Sequence, residues 1–159
     1  MRKPILYIMC GIPGCGKTWY ATHNMIKDNV TYVSRDTIRY NMLNAEDDYF
    51  SKENLVYAIF VKDIRDNLKN GKDVIADATH LNWNSRRKLL NSLGDVSAYN
   101  IVPVVVGTDL DTALARNERR EGRAHVGRSV IRRMHAQFTD PADDPYTYSS
   151  IMRVDNKEN

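Results

Sequence analysis

The sequence is poor in several features that mark specialised protein classes. It has two cysteines in 159 residues, Cys10 and Cys15, and their spacing fits neither a zinc site nor a disulfide framework. No apolar run is long enough to cross a bilayer. The short N-terminal apolar run is broken by Pro13 and the glycines, and it lacks the small-residue cleavage site of a signal peptide. We therefore expect a cytoplasmic protein with no membrane partner.

Internal repeats, low-complexity blocks and domain linkers are also missing from the sequence, so we predict a single domain over residues 1–159. The net charge of +3 is mild and does not by itself demand a nucleic-acid ligand. The distribution of charge is more informative, because seven arginines and two acidic residues lie between positions 116 and 133. This segregation indicates an anionic ligand near the C-terminal third.

Strand-like and helix-like segments alternate along the chain. A short, nearly continuous apolar run that ends at a glycine-rich turn is typical of a strand buried on both faces. The strand candidates, in order, are ILYIMC, TYVS, DVIADAT, YNIVPVVVG and IMRV. The alternation predicts an α/β fold with βαβ units, a parallel sheet and helices on both faces.

The clearest helix is predicted after Ser51, which we expect to cap it, with Glu53 in the positive first turn. Apolar residues recur every fourth position and a glycine ends the segment. These residues are Val56, Phe60, Ile64, Leu68 and Gly71.

The first strand is followed by GIPGCGKT, which fits the phosphate-binding pattern G-x-x-x-x-G-K-[ST]. Backbone amides of such a loop point at phosphate, Lys17 reaches the β- and γ-phosphates, and Thr18 offers a hydroxyl to Mg²⁺. We therefore predict ATP and Mg²⁺ as cofactors and Cys15 as a small packing residue. The predicted nucleotide-binding residues are Gly11, Ile12, Pro13, Gly14, Cys15, Gly16, Lys17 and Thr18.

A carboxylate flanked by arginines follows the second strand, in the stretch SRDTIRY. The C-terminal ends of parallel strands meet at the phosphate site, so Asp36 should lie near the γ-phosphate. There it can accept the proton of an attacking hydroxyl. Arg39 is one helical turn further on and can hold an anionic group of the acceptor. In the alternative interpretation, Asp36 only caps its helix and pairs with Arg39.

Asp77 ends the third strand and is a candidate Mg²⁺ ligand, either directly or through Thr18. Its alternative role is a cap for the next turn. We assign His80 a local hydrogen bond and no catalytic role. Arg86 and Arg87 are interpreted as the polar face of a helix.

The arginine-rich segment at about 119–128, with glycines at 122 and 127, predicts a mobile lid. A lid arginine can neutralise charge on the transferring phosphoryl group and accelerate transfer by ~10³-fold or more. Arg116, Arg120 and Arg123 are the candidates, and the sequence does not choose among them.

Four motifs together resemble polynucleotide 5′-hydroxyl kinases, the kinase domains of phage-type end-healing enzymes. They are the phosphate loop, RDTIR, DATHLN and RNERR, and the resemblance runs from about Pro4 to Phe138. The resemblance implies a P-loop kinase fold with Asp36 as general base and Arg39 on the phosphate 3′ of the terminal nucleotide. It also implies that Arg120 closes over the donor phosphates, supported by Arg116.

Departures from the family pattern are also visible. His80 replaces a frequent asparagine, Cys15 replaces the more usual serine, and the phosphatase domain that often accompanies this kinase has no counterpart. A separate phosphatase or ligase is therefore a candidate partner.

Three functions remain open from the sequence. The leading one is ATP-dependent phosphorylation of a 5′-hydroxyl end of DNA or RNA. The second keeps the chemistry but uses a small acceptor: a nucleoside, another metabolite, or a nucleotide sugar. Zeta-toxin-like kinases use a nucleotide sugar. The third is a non-catalytic ATP-binding module.

Overall fold

Five parallel strands form one sheet in the computed structural model, which describes residues 2–120, 122 and 126–155. The order across the sheet is β2-β3-β1-β4-β5. The strands are β1 (Ile5–Cys10), β2 (Val30–Ser34), β3 (Asp73–Asp77), β4 (Asn100–Gly107) and β5 (Met152–Asp155). The predicted α/β fold with a parallel sheet is confirmed, including the short last strand.

Helices occupy the connections between the strands. A first helix α1 (Lys17–Tyr20) continues directly into a π-helical segment, Ala21–Met25. The others are α2 (Arg35–Met42), α3 (Glu53–Lys69), α4 (Trp83–Leu93), α5 (Leu110–Glu118) and α6 (Arg128–Gln137).

Two hydrophobic clusters cover opposite faces of the sheet. In β1, Leu6 and Ile8 pack with α3 and α4, whereas Met9 packs on the other side with α5 and α6. Successive side chains of a strand point to opposite faces, so a strand buried on both sides must be apolar throughout. The continuous apolar run of β1 is therefore explained by helices on both faces.

The periodic pattern of α3 is confirmed, because Val56, Phe60, Ile64 and Leu68 are all buried, and the last three belong to the hydrophobic cluster on one face of the sheet. The predicted cap was wrong. The helix begins at Glu53, and the Ser51 hydroxyl instead donates to the carbonyl of Asp48 at 2.8 Å.

The strand register brings three C-terminal strand ends to the same edge. Ser34 at the end of β2 is paired with Asp77 at the end of β3, and Ile8 in β1 is paired with Ala76. The phosphate loop leaves β1, α2 leaves β2, and Asp77 closes β3. The phosphate loop, the helix that carries Asp36 and the residue Asp77 therefore lie next to one another at one edge of the sheet.

The interpretation of Arg86 as a solvated residue was wrong, since its side chain is fully buried. It donates to both carboxylate oxygens of Asp144, at 2.7 and 2.9 Å, and to the carbonyls of His80 and Thr139. Tyr148 donates to the same carboxylate at 2.6 Å. The buried ion pair fastens the C-terminal segment onto α4 and onto the loop after β3.

Breaking this pair should cost much stability. We expect Arg86→Met to lower the free energy of unfolding by about 3–5 kcal/mol, because Asp144 is left buried without its cation. The neighbouring Arg87 is exposed and makes one long contact to Asn84, so Arg87→Met should change stability by less than about 0.5 kcal/mol. Urea denaturation of both variants checks this, and equal losses would contradict the account.

Candidate active site

The phosphate loop turns sharply where two glycines adopt left-handed backbone angles, with φ of 85° at Gly14 and 91° at Gly16. A Cβ on Gly14 would lie 2.4 Å from the carbonyl oxygen of Ala113 in α5, so only glycine fits there. Arg116 donates from α5 to the carbonyls of Gly14 and Cys15, at 3.3 and 3.2 Å. The loop is thus packed against α5 and held by it.

The side chains expected to bind a metal are in contact. The hydroxyl of Thr18 donates to Asp77 at 2.7 Å, and the hydroxyl of Tyr32 donates to the same carboxylate oxygen. A carboxylate and a hydroxyl are oxygen ligands that suit Mg²⁺, which often uses few protein ligands beside substrate phosphates. The residues fit the predicted metal, even though the described chain contains no cluster of three or more His, Cys, Asp or Glu side chains suited to holding a metal ion.

Asp36 lies in the first turn of α2, where the helix cap is Ser34, whose hydroxyl accepts from the amide of Thr37 at 3.2 Å. The Asp36 carboxylate is therefore not the cap. It accepts from Arg39 at 2.5 Å and from the hydroxyl of Tyr49 at 3.3 Å, and its side chain is 71% exposed. The carboxylate remains open to an incoming hydroxyl while being aligned by two donors.

Arg39 is itself held firmly. Its guanidinium donates twice to Glu53, at 2.9 and 2.7 Å, and its side chain is only 6% exposed. Burial alone would lower the pKa of Arg39, but its hydrogen bonds to Glu53 and Tyr49 outweigh burial and raise the pKa above its ordinary value. Burial opposes ionisation of Glu53 too, yet the arginine contacts keep the pKa of its carboxyl below the usual value. Arg39 is consequently a permanent, preorganised cation.

The base of the predicted lid is anchored by Asn117, which is completely buried. Its side chain accepts from the amide of Val126 at 2.9 Å and donates to the carbonyl of the same residue. Arg120 follows on the exposed turn after α5 and lines the pocket described below. Part of the predicted lid, including the candidate Arg123, lies outside the described residues.

One pocket of about 650 Å³ is lined by charged residues from several of these segments. Its volume falls within the range of roughly 300–1,000 Å³ seen for ligand sites. Four cations and three carboxylates line it, namely Lys17, Arg35, Arg39, Arg120, Asp36, Glu53 and Asp77. Aromatic side chains of α2 and of the loop after it, together with apolar side chains of α6, complete the wall. Three residues of the predicted loop, Pro13, Lys17 and Thr18, thus share one cavity with the candidate base and with Arg120 of the predicted lid.

His80 lies behind this pocket with a local role, as expected. Its ring nitrogen Nδ1 is 2.7 Å from the carbonyl oxygen of Met9, and the preceding carbonyl of Thr79 accepts from the amide of Gly11 at 2.9 Å. Burial lowers the pKa of His80 to about 4. The neutral ring joins the end of β1 to the loop after β3.

Several residues of the site were not anticipated from the sequence. Glu53 was assigned only to a helix terminus, and Tyr32, Tyr49 and Asn117 received no role. The asparagine within RNERR was a usable signal, because a buried amide beside a glycine-containing loop is suited to fixing that loop. The tyrosines gave no such signal, since their partners come from other strands and helices.

Fold and site together define a P-loop kinase domain. A model of the AAA_33 family, an AAA domain, matches residues 6–141, and the chain belongs to that family. Among curated proteins, no significant match was found.

Solved structures share the fold at low sequence identity. A chain of the Pnkp1/Rnl/Hen1 RNA repair complex is 23% identical with a TM-score of 0.74, and the match covers 86% of this chain but 44% of that one. A candidate kinase from Chloroflexus aurantiacus is 15% identical with a TM-score of 0.77, over 98% of this chain and 90% of that one. A gluconokinase from Sinorhizobium meliloti is 16% identical with a TM-score of 0.60, over 100% and 86%. The chain therefore spans less than half of the repair-complex protein.

A membrane-crossing helix is not found in the described part of the chain, where each helix is too short or too polar.

Acid should destabilise the fold through His80. Its pKa is near 6.5 when unfolded and about 4 when folded, so the unfolded chain binds more protons and stability falls as pH drops through that window. We expect His80→Asn, which tolerates the φ of 41° at this position, to remove this dependence. Relative to wild type, the variant should gain about 2 kcal/mol between pH 7 and pH 5. Urea denaturation at several pH values measures the free energy of unfolding of both proteins. If this free energy falls equally for wild type and His80→Asn between pH 7 and pH 5, the assignment is contradicted.

Proposed function

We propose that this chain transfers the γ-phosphoryl group of ATP to the 5′-hydroxyl end of DNA or RNA. The observation that carries the proposal is that Asp36 and Arg39 line the same pocket as Lys17 and Thr18. The carboxylate is positioned to receive an alcohol, and the guanidinium one turn later is positioned to receive an anion beside it. A 5′-terminal nucleotide presents an alcohol and a phosphate in that order.

Phosphoryl transfer forms a bond between the acceptor oxygen and the γ-phosphorus while the bond to ADP breaks. Asp36 accepts the proton that leaves the hydroxyl, and Lys17 and Arg120 stabilise negative charge on the transferring group. Thr18 and Asp77 would hold Mg²⁺, which would supply further charge neutralisation at the phosphates. Arg116 maintains the loop geometry by holding two of its carbonyls and supports the donor nucleotide.

The similar chain from an RNA repair complex supports a nucleic-acid acceptor, and we extend the proposal to a separate phosphatase or ligase partner. The sequence identity of that chain to this one, 23%, is too low to support a nucleic-acid acceptor by itself. The proposal of this acceptor rests on the charge and geometry of the pocket wall.

Removing the proposed base should slow transfer strongly while preserving nucleotide binding. We expect Asp36→Asn to lower kcat for a 5′-hydroxyl oligonucleotide by about 10²–10⁴-fold, the usual contribution of a general base. The assay follows label moving from [γ-³²P]ATP to the oligonucleotide, with a 5′-phosphorylated oligonucleotide as the blank. Asp28→Asn is the matched control, because Asp28 is an exposed carboxylate that does not line the pocket. An Asp36→Asn variant with wild-type kcat would rule out the proposed base.

A small-molecule acceptor is the second candidate function, because the pocket volume also suits a metabolite and a gluconokinase shares the fold. Salt separates the two acceptor classes. Each phosphate contact to a single strand should give a slope of about −0.7 in a plot of log affinity against log salt. We expect such a slope for 5′-hydroxyl oligonucleotides. Transfer only to gluconate or a nucleoside, without salt dependence, would favour the second candidate.

A further inference from the structure

Three aromatic side chains form a continuous part of the pocket wall beside Asp36 and Arg39. We call Tyr40, Tyr49 and Phe50 the aromatic wall. The rings of Tyr40 and Tyr49 meet edge to face with centroids 6.0 Å apart, and those of Tyr49 and Phe50 do so at 4.7 Å. The rings thus form one contiguous aromatic surface.

Core packing does not explain the aromatic wall. Phe50 is 66% exposed and Tyr40 is 42% exposed, and none of the three rings belongs to either hydrophobic cluster of the described residues. Phe50 is more exposed than the other large apolar side chains noted at the surface of the described chain. Aromatic surface left in water at the mouth of a charged pocket indicates a flat, apolar group on the ligand.

The segment that carries Phe50 is held in place before any ligand binds. Lys52 donates to the carbonyl of Met42 at 3.0 Å, and the amide of Asn44 donates to Asp47 at 2.9 Å. The amide of Ser51 donates to the carbonyl of Asp48 at 3.1 Å. Because the loop between α2 and α3 is braced at both ends, little conformational entropy is lost when a ligand contacts the ring.

The contacts among Asp36, Arg39 and Phe50 indicate the path along which a bound acceptor extends. Arg39 donates to the Asp36 carboxylate, and its guanidinium also lies over the ring of Phe50, 5.1 Å from the ring centroid. An acceptor whose hydroxyl is at Asp36 and whose first phosphate is at Arg39 continues toward Phe50. A sugar acid has no flat apolar group to place there, whereas the next nucleotide of a nucleic acid has its base.

We propose that the aromatic wall binds the base of the second nucleotide of the acceptor, stacked on Phe50. This inference rests on the proposed function, and it narrows the acceptor to a chain of at least two nucleotides. Stacking uses the π-face that every base has, so the contact recognises a polynucleotide without reading its sequence.

The test combines a side-chain change with removal of one base. For an intact 5′-hydroxyl oligonucleotide, we expect Phe50→Ala to raise KM about 10-fold, within the range for loss of one base–aromatic stack. For an oligonucleotide that is abasic at the second nucleotide, wild type and Phe50→Ala should have the same KM. Phe50→Trp should restore the wild-type KM on the intact acceptor, because it restores a stacking surface.

A direct readout does not depend on catalysis. The fluorescence of 2-aminopurine at the second position should be quenched when the oligonucleotide binds wild type, and the quenching should be lost in Phe50→Ala. Leu55→Ala is the matched control, since Leu55 is 54% exposed on α3 but does not line the pocket. It should retain both the KM and the quenching.

The outcomes separate this inference from the proposed function. If wild type phosphorylates no 5′-hydroxyl oligonucleotide, the proposed function fails and the inference fails with it. If wild type phosphorylates the intact oligonucleotide but Phe50→Ala changes KM equally with and without the second base, only the stacking assignment is overturned. The stacking assignment is also overturned if the effect of Phe50→Ala on KM depends on the first base and not on the second.

Discussion

The parallel pairing of β1, β2 and β3 is the constraint on which the site depends. It places the end of β2, at Ser34, beside Asp77 at the end of β3, with the phosphate loop leaving β1 on the other side of β3. A register shift of one residue in β2 would turn its side chains to the opposite face and move Asp36 away from the loop. The contact of Thr18 with Asp77 and the shared pocket of Lys17 and Asp36 both follow from this pairing.

The acceptor side of the pocket is organised around a cation that is already desolvated. Arg39 is nearly buried, and Glu53 fixes two of its nitrogens, so the orientation of its guanidinium is set by the protein itself. The same guanidinium aligns Asp36 and lies against two rings of the aromatic wall. Base, anion site and stacking surface are therefore linked through one side chain. The donor side is organised in a comparable way by Arg116 and Asn117 of α5, which brace the phosphate loop and the base of the lid.

Local patterns in the sequence were enough to predict the sheet, the phosphate loop and the position of Asp36. They sufficed because each depends on neighbouring residues: a buried strand is apolar throughout, and the loop needs glycines at fixed spacing. Arg86 was misjudged because its partner, Asp144, is 58 residues away and nothing near Arg86 in the sequence reports its burial. Tyr32 and Tyr49 were missed because their hydrogen-bond partners lie on other secondary-structure elements, β3 and α2. The aromatic wall was also invisible, since exposure of Phe50 depends on how the loop after α2 folds back over the pocket.

The central claim is that an alcohol binds between Asp36 and the phosphate loop. The most direct measurement is a crystal structure of the protein with ADP, Mg²⁺ and a 5′-hydroxyl oligonucleotide. The account predicts the terminal O5′ within hydrogen-bonding distance of the Asp36 carboxylate, about 2.6–3.2 Å, and facing the β-phosphate of ADP. An oligonucleotide bound elsewhere, or an Asp36 side chain turned out of the pocket while the nucleotide is bound, would contradict it.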